Sequence, residues 1–448
     1  MTFASMQITF EEDKYKMAKT LIRNGLVLTM DTKLGTLYGA DVLIEDDKIA
    51  AVGKKLPAKG AEVIDATDMI VMPGFVEGHR HMYAGMLRGT GNDDYKDFFP
   101  KVVLGIGGSY TPEDTYISSK LGALESIDTG ITTLHAWDHN MITPAHADAS
   151  LRAMRESGLR LRFSYGPDNK IMRLNHKDVL RMRDQVFTRH EGGKYWTPDG
   201  NTFLGIATRG IENNDREVYL ADYEFARKNG LPITAHFMEK NVEQTMGDNV
   251  LGPDVLPIHL NGISSEDMAH VAKSGSPVVV APVALARVGE EPSDIPALVK
   301  AGIKVGISVD SVAGADSCDF FAQMKFALCQ WRSNYRNAMI IQPLDILRMA
   351  TSQGAEVVGL GDVTGTLTPG KKADLILLRT TDINFAPVNN PVMQIVMSGQ
   401  PRNVDTVFID GVCRKRAGEL VGVDVKEVVA AVKRAVEGIA KRVGYAVD

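Results

Sequence analysis

From Pro73 onward the chain alternates short apolar runs with longer segments of helical period, and this alternation constrains the fold more than any other feature. Eight runs read as strands: residues 72–77, 131–136, 160–164, 202–207, 232–235, 255–259, 277–281 and 304–309. Strand–helix repetition asks for a parallel sheet, because a parallel partner is reached only through a crossover long enough to hold a helix. Eight such units in roughly 250 residues match an α/β fold of the (β/α)8 TIM-barrel type. A doubly wound sheet is the rival, but no glycine fingerprint follows the first strand.

The intervening helices carry legible punctuation. Thr111-Pro112-Glu113-Asp114 supplies a cap, a proline for the first position and acidic residues for the first turn, and Gly130 stands at the stop. Residues 215–229 end on Arg227-Lys228 before Gly230, and 264–274 and 293–300 repeat the layout with Gly275 and Gly302.

The two chain ends read differently. Residues 20–29, 37–45 and 49–52 are strand-like, and so are 373–378, 394–398 and 406–409, with Asp410-Gly411 as a hairpin turn. Both ends are therefore expected to build one small β-sandwich domain, segments 1–72 and 370–420, beside a barrel over 73–369. The last segment, 421–448, places apolar residues at helical spacing behind Asp424 and Glu427, a helix expected to dock on the protein's own surface.

Composition narrows the partners. Fifty Lys and Arg against 56 Asp and Glu leave a net charge of −6, and no basic run suggests nucleic acid or an anionic membrane. Three cysteines, Cys318, Cys329 and Cys413, form no CxxC pair and fit a reducing, cytoplasmic setting. No apolar run approaches the ~20 residues of a membrane span. Residues 1–16 contain Glu11, Glu12 and Asp13 and lack the apolar stretch of a signal peptide. A small-molecule substrate and a homo-oligomer, dimer or tetramer, are the expected partners.

The chemistry collects at strand ends. Gly78-His79-Arg80-His81 follows the first barrel run; residues two apart in an extended chain point the same way, so both imidazoles face one side. His236 follows the fifth run with Glu239 three residues on, His259 closes the sixth, and Asp310 closes the eighth. Each alone has a bland reading: a polar turn, a helix N-terminal acid, a core histidine, an N-cap. Together, at the end of a barrel where active sites lie, histidines and one carboxylate suit a catalytic Zn2+ or Fe2+ that keeps a position open for water. Other machineries are missing: HExxH, GxSxG and the PCxxC of small zinc deaminases. Gly365 to Lys372 imitates a phosphate loop but lacks its Ser/Thr and precedes a strand. His135 and His139, four apart on a strand, lie ~13 Å from each other, too far to share an ion. Substrate contact suits that stretch better, so His135, Trp137 and Asp138, with Arg88 and Arg209, are the expected pocket residues.

The sequence resembles the amidohydrolase superfamily, in the branch of cytosine deaminase, S-adenosylhomocysteine and other purine or pterin deaminases, and the triazine hydrolases. The resemblance is carried by Val71-Met72-Pro73-Gly74-Phe75-Val76-Glu77-Gly78-His79-Arg80-His81, Gly130-Ile131-Thr132-Thr133, His236-x-x-Glu239, His259, Asp310 and Gly365-Thr366-Leu367-x-Pro369-Gly370-Lys371-x-Ala373-Asp374-Leu375. It implies that His79, His81, His236 and Asp310 bind one divalent ion, Zn2+ or Fe2+, and that Glu239, His259 and Asp310 perform the catalysis. Two segments depart from the branch. Val280-Ala281-Pro282-Val283-Ala284 stands in place of His-Cys-Pro-x-Ser-Asn, and Ser308-Val309-Asp310-Ser311 in place of Gly-Thr-Asp-Gly. The fourth run has no lysine to bridge a second ion. The expected reaction is hydrolytic deamination of an N-heterocycle by metal-activated water. The alternatives are removal of an amide, urea or halide substituent from an aromatic ring, and a non-catalytic scaffold.

Overall fold

Gly74 divides what reads in the sequence as one strand. Met69–Pro73 joins the sheet built from the chain ends, whereas Phe75–Arg80 opens the barrel. The expected strand 72–77 is thus two strands in two sheets. A Cβ at position 74 would lie 2.2 Å from the Thr132 side chain, so only glycine lets the chain pass there. The structure, a computed structural model, describes residues 19–90, 98–190, 192–209, 214–238, 242 and 247–444.

The N-terminal part supplies β1 (Lys19–Leu28), β2 (Thr36–Glu45), β3 (Lys48–Gly53), β4 (Glu62–Asp65) and β5 (Met69–Pro73). The barrel strands follow: β6 (Phe75–Arg80), β7 (Ile131–Asp138) and β8 (Arg160–Tyr165). A short hairpin of β9 (Thr188–Arg189) and β10 (Tyr195–Trp196) leads into β11 (Thr202–Thr208). Then come β12 (Ile233–Met238), β13 (Val255–Asn261), β14 (Val278–Val280) and β15 (Val305–Ile307). Strands β6, β7, β8 and β11 to β15 pair in parallel in chain order. Every residue of β7, β8, β11 and β13 is buried, as parallel strands covered on both faces must be. The ring closes through one bridge between Arg80 and Asp310: His81 N–H donates to the Asp310 carbonyl at 2.9 Å, and Asp310 N–H to the His79 carbonyl at 3.2 Å. The closing seam therefore runs between the residues expected to hold metal.

The other sheet unites the two chain ends. β5 pairs antiparallel with β16 (Leu375–Arg379), which continues through β17 (Val404–Ile409), β18 (Val412–Arg416) and β19 (Glu419–Leu420). Alternation sorts its faces. Ile70, Met72, Ile376 and Leu378 belong to the large core shared with the barrel, whereas Val71, Leu375 and Leu377 join Ile22, Val42, Ile49 and Phe408 in a smaller one. Buried Arg160 pins the sheet to the barrel, with Nε 2.5 Å from Asp374 and Nη2 2.9 Å from Asp410.

The helix signals hold in detail. Thr111 and Asp114 form a capping box on the helix Pro112–Asp128, as Ser264 and Asp267 do on Ser265–Ser274. Residues 394–398, expected as a strand, are instead the end of a helix, Pro391–Ser398. Asn390 caps it, accepting from Met393 N–H at 3.0 Å, and Pro391 takes its first position, a start signal that overrides the apolar run. The C-terminal helix Val425–Val443 lays Val432, Val436 and Ile439 on Tyr83, Met86 and Tyr110, and Arg442 reaches Asp114 at 2.5 Å. Among the described residues no helix is long and apolar enough to cross a membrane.

Candidate metal centre and pocket

His79 and His81 project from the end of β6 into the barrel mouth, their Nε2 atoms 3.2 Å apart. Asp310, just past β15, brings one carboxylate oxygen 3.3 Å from His79 Nε2 and 3.1 Å from His81 Nε2. From β12, His236 sets its ring centroid 5.0 Å from that of His79. From β13, His259 sits 5.2 Å from His236. The potential ligand atoms of His79, His81 and Asp310 lie within 4.8 Å of one another, and so do those of His79, His236 and His259. Arg80 alternates outward, where its buried guanidinium donates to Ser126 Oγ at 2.8 Å and contacts Cys318, fixing the end of β6 to the helix layer.

The backbone is strained where it delivers these groups. His259, Leu260 and Asp310 have φ of +78°, +52° and +68°, and the β12–β13 register shifts between Phe237 and Met238. Left-handed backbone at non-glycine residues costs on the order of 1–3 kcal/mol each and concentrates at functional sites. Beneath the site, the buried Glu77 carboxylate accepts from His79 N–H at 3.1 Å and from Val309 N–H at 3.0 Å, bracing both sides of the seam. Burial, partly offset by Arg80, pushes the Glu77 carboxyl up to about 8.

Electrostatics favour neutral imidazoles around an ionised carboxylate. Burial lowers His79 to about 3 against the pull of Asp310, and burial together with the neighbouring histidines holds His236 well below the usual histidine range. His259 is lowered by burial too. Burial alone would raise Asp310, but hydrogen bonds with His79 and His81 hold it well below the ordinary carboxylate range. Imidazole nitrogens crowded against each other and a carboxylate oxygen make a donor set that a divalent cation satisfies, with bonds of about 2.0–2.2 Å for Zn2+. The residues present fit such an ion.

A cavity of about 390 Å³ opens over these groups. Tyr83, Phe98, Phe99 and Val103 form an aromatic and apolar wall, and His139, Arg209 and Arg287 add polar groups. Arg209 donates to Asn169 Oδ1 at 2.5 Å and lies 2.8 Å from His139 Nδ1. Trp137 packs its ring 4.6 Å from His236. His135 points inward but lower, bonded to the Gly78 carbonyl at 2.7 Å and Ser164 Oγ at 2.9 Å.

Of the five expected pocket residues only Arg209 lines the cavity: His135 and Trp137 face inward without lining it, and the other two lie elsewhere. Asp138 has the opposite parity on β7 and faces the helix layer near Ser150, and Arg88 is half-exposed and paired with Glu125. Glu239 lies outside the described residues. His139 lines the cavity, as expected of the 135–139 stretch, whereas Asn169, Arg287 and Glu77 were not in the expected set. A glutamate closing an apolar strand two residues before His79 was the one sequence signal that could have marked Glu77.

A model of the Amidohydrolase family matches residues 70–413. The chain is 30% identical to 5-methylthioadenosine/S-adenosylhomocysteine deaminase of Acetivibrio thermocellus, over 94% of this chain and 99% of that protein. It is 27% identical to 5'-deoxyadenosine deaminase of Methanosarcina mazei, over 95% and 100%. Among solved structures it superposes on a zinc-bound adenosine deaminase of Xanthomonas campestris with a TM-score of 0.83 at 18% identity, covering 94% of this chain and 98% of that one. The zinc complex of an atrazine chlorohydrolase of Arthrobacter aurescens gives 0.83 at 23%, covering 93% and 100%.

Proposed function

The chain belongs to the amidohydrolase family, and from that premise we propose that it hydrolytically deaminates an N-heterocycle of the adenosine type, using one divalent ion held by His79, His81, His236 and Asp310. The observation that carries the reading is the meeting of His79, His81 and Asp310 across the barrel's closing seam, with His236 and His259 alongside and an aromatic-walled cavity above. The names of the deaminase relatives support the substrate class. Zn2+ or Fe2+ suits the donors. When bound, such an ion supplies Lewis acidity that brings a water's pKa toward neutral. A single ion is favoured because the inward positions of β11, Phe203, Gly205 and Ala207, offer no ligand for a second.

The chain's own residues divide the remaining work. Asp310, kept ionised by its histidine neighbours, accepts the proton of the attacking water. His259, kept neutral by burial, orients that water or the substrate oxygen through a hydrogen bond. Glu239, three residues after His236, delivers a proton to the ring nitrogen on which charge builds during attack, and the proton that Asp310 takes from the water passes to the amine, which departs as ammonia. Tyr83, Phe98 and Phe99 hold a planar ring and exclude water, and Arg209 and His139 present polar edges to its substituents. The test is ammonia release from 5'-deoxyadenosine, adenosine and other amino-heterocycles, with amides and chlorinated rings as comparison. Deamination of at least one aminopurine nucleoside is expected. Chloride or amide release with no ammonia from any aminopurine would overturn the reading.

A further inference from the structure

At the opposite end of the barrel, where the parallel strands begin, a second cavity of about 450 Å³ lies among the starts of β11 and β13, the β9–β10 hairpin and residues 356–359. Among the described residues its cations outnumber its carboxylates. Arg162 alternates inward from β8, is 4% exposed, and donates from Nη2 to the Ile233 carbonyl at 3.0 Å. Its Nε is buried without an acceptor, and among the described residues no carboxylate forms an ion pair with it. Gly205 makes the space: a Cβ there would lie 3.1 Å from Ser164 Oγ and 3.7 Å from Arg162 Nε.

Arg160, two residues earlier on the same face of the same strand, shows how a buried guanidinium is ordinarily satisfied. Two aspartates flank it, whereas among the described residues Arg162 has only a carbonyl and the Phe203 ring, 5.9 Å away. Lys194 adds a second cation, its Nζ 4.9 Å from the same ring and bonded to the Gly359 carbonyl. Arg189 lines the cavity as well, with no carboxylate in ion-pair contact among the described residues. Of the remaining charged groups, Arg227 is matched by Asp254 at 2.8 Å and Glu356 by Lys304 at 2.6 Å. Burial, with no compensating charge among the described residues, draws Arg162 down to about 9, and burial together with repulsion from Arg162 lowers Lys194 against the pull of Asp362. A buried guanidinium without a counter-charge is costly, and a bound anion removes that cost.

We propose that this cavity is a second ligand site that takes a small organic oxyanion, its phosphate or carboxylate head between Arg162, Arg189 and Lys194 and its apolar body against Phe203 and Leu231. The walls suit such a body, since Leu231, Pro232, Val255 and Val358 line the space beside the cations. The site lies across the barrel from the metal-ligating histidines, so its occupant is neither substrate nor product in transit.

The test is calorimetric titration of the metal-loaded protein, at constant ionic strength, with inorganic phosphate, phenyl phosphate and succinate. One saturable site per chain is expected, with phenyl phosphate tighter than inorganic phosphate; whether the phosphates or succinate bind identifies the head group. Arg162→Met and the double variant Arg189→Ala/Lys194→Ala should each weaken binding by about tenfold or more while metal content stays unchanged. The double variant alters only the cavity rim, so it serves even where Arg162→Met does not fold. Absence of saturable binding by all three probes, or binding that survives the double variant at wild-type strength, overturns the proposal; the latter would put the anion on the metal.

Discussion

Replacing Glu77 by alanine tests whether the metal site is held by its backbone brace. The substitution leaves two buried donors, His79 N–H and Val309 N–H, without their acceptor. Each orphaned buried donor costs about 1–3 kcal/mol, so a loss of about 2–6 kcal/mol is expected from hydrogen bonding alone. Glu77→Gln keeps a side-chain carbonyl in the same place and should recover about half of that loss or more. The brace ties the strand carrying His79 to the segment carrying Asp310, so Glu77→Ala should also weaken metal binding by about 10–100-fold, as loss of groups that orient ligands does. Urea unfolding of the metal-free protein measures the first effect, and competition with a chromophoric chelator the second. A Glu77→Ala protein within about 1 kcal/mol of wild type and with unchanged metal affinity would refute the reasoning.

Four further outcomes are expected. His79→Ala and His236→Ala should abolish activity and metal retention yet leave the circular dichroism spectrum native, because the barrel core does not depend on the ion as a zinc finger does; loss of the fold would contradict this. Glu239→Gln should lose about 10²–10⁴-fold in kcat while keeping its metal, and near-wild-type turnover would contradict proton delivery by Glu239. Burial raises Asp138 to about 7, so the fold favours its neutral form. That stabilisation is complete below about pH 4 and is lost as pH rises through about 7, a full span of about 4 kcal/mol by linkage, and Asp138→Asn should remove the part of it, about 2–3 kcal/mol, that falls between unfolding curves at pH 5 and 8. Chelation should remove all activity, and stoichiometric Zn2+ or Fe2+ should restore it; activity that persists in chelator would be the contrary result.

Much of the fold was legible because its signals are local. Strand–helix alternation gives the eight barrel runs, and caps such as Thr111 and Ser264 mark helix starts by side-chain chemistry that does not need the rest of the molecule. Gly74 was opaque because its role depends on the Thr132 side chain across the structure, and 394–398 misled because a short apolar run serves helix or strand equally. At the site, His79, His81, His236, His259 and Asp310 were legible as strand-end groups. Asp138 was misplaced for want of strand phase: it lies an odd number of positions from His135 and Trp137 and so faces away from them. The brace at Glu77 and the unmatched charge of Arg162 arise from contacts between distant segments, and neither has a motif.

The central claim is that one ion sits at the barrel seam on His79, His81, His236 and Asp310, and elemental analysis of metal per chain tests it most directly. The protein is purified, dialysed to remove loosely held ions and compared with His79→Ala and Asp310→Ala. One divalent ion per wild-type chain, and essentially none in either variant, is the predicted result. Two tightly held ions per chain, or one ion retained by both variants, would contradict the account.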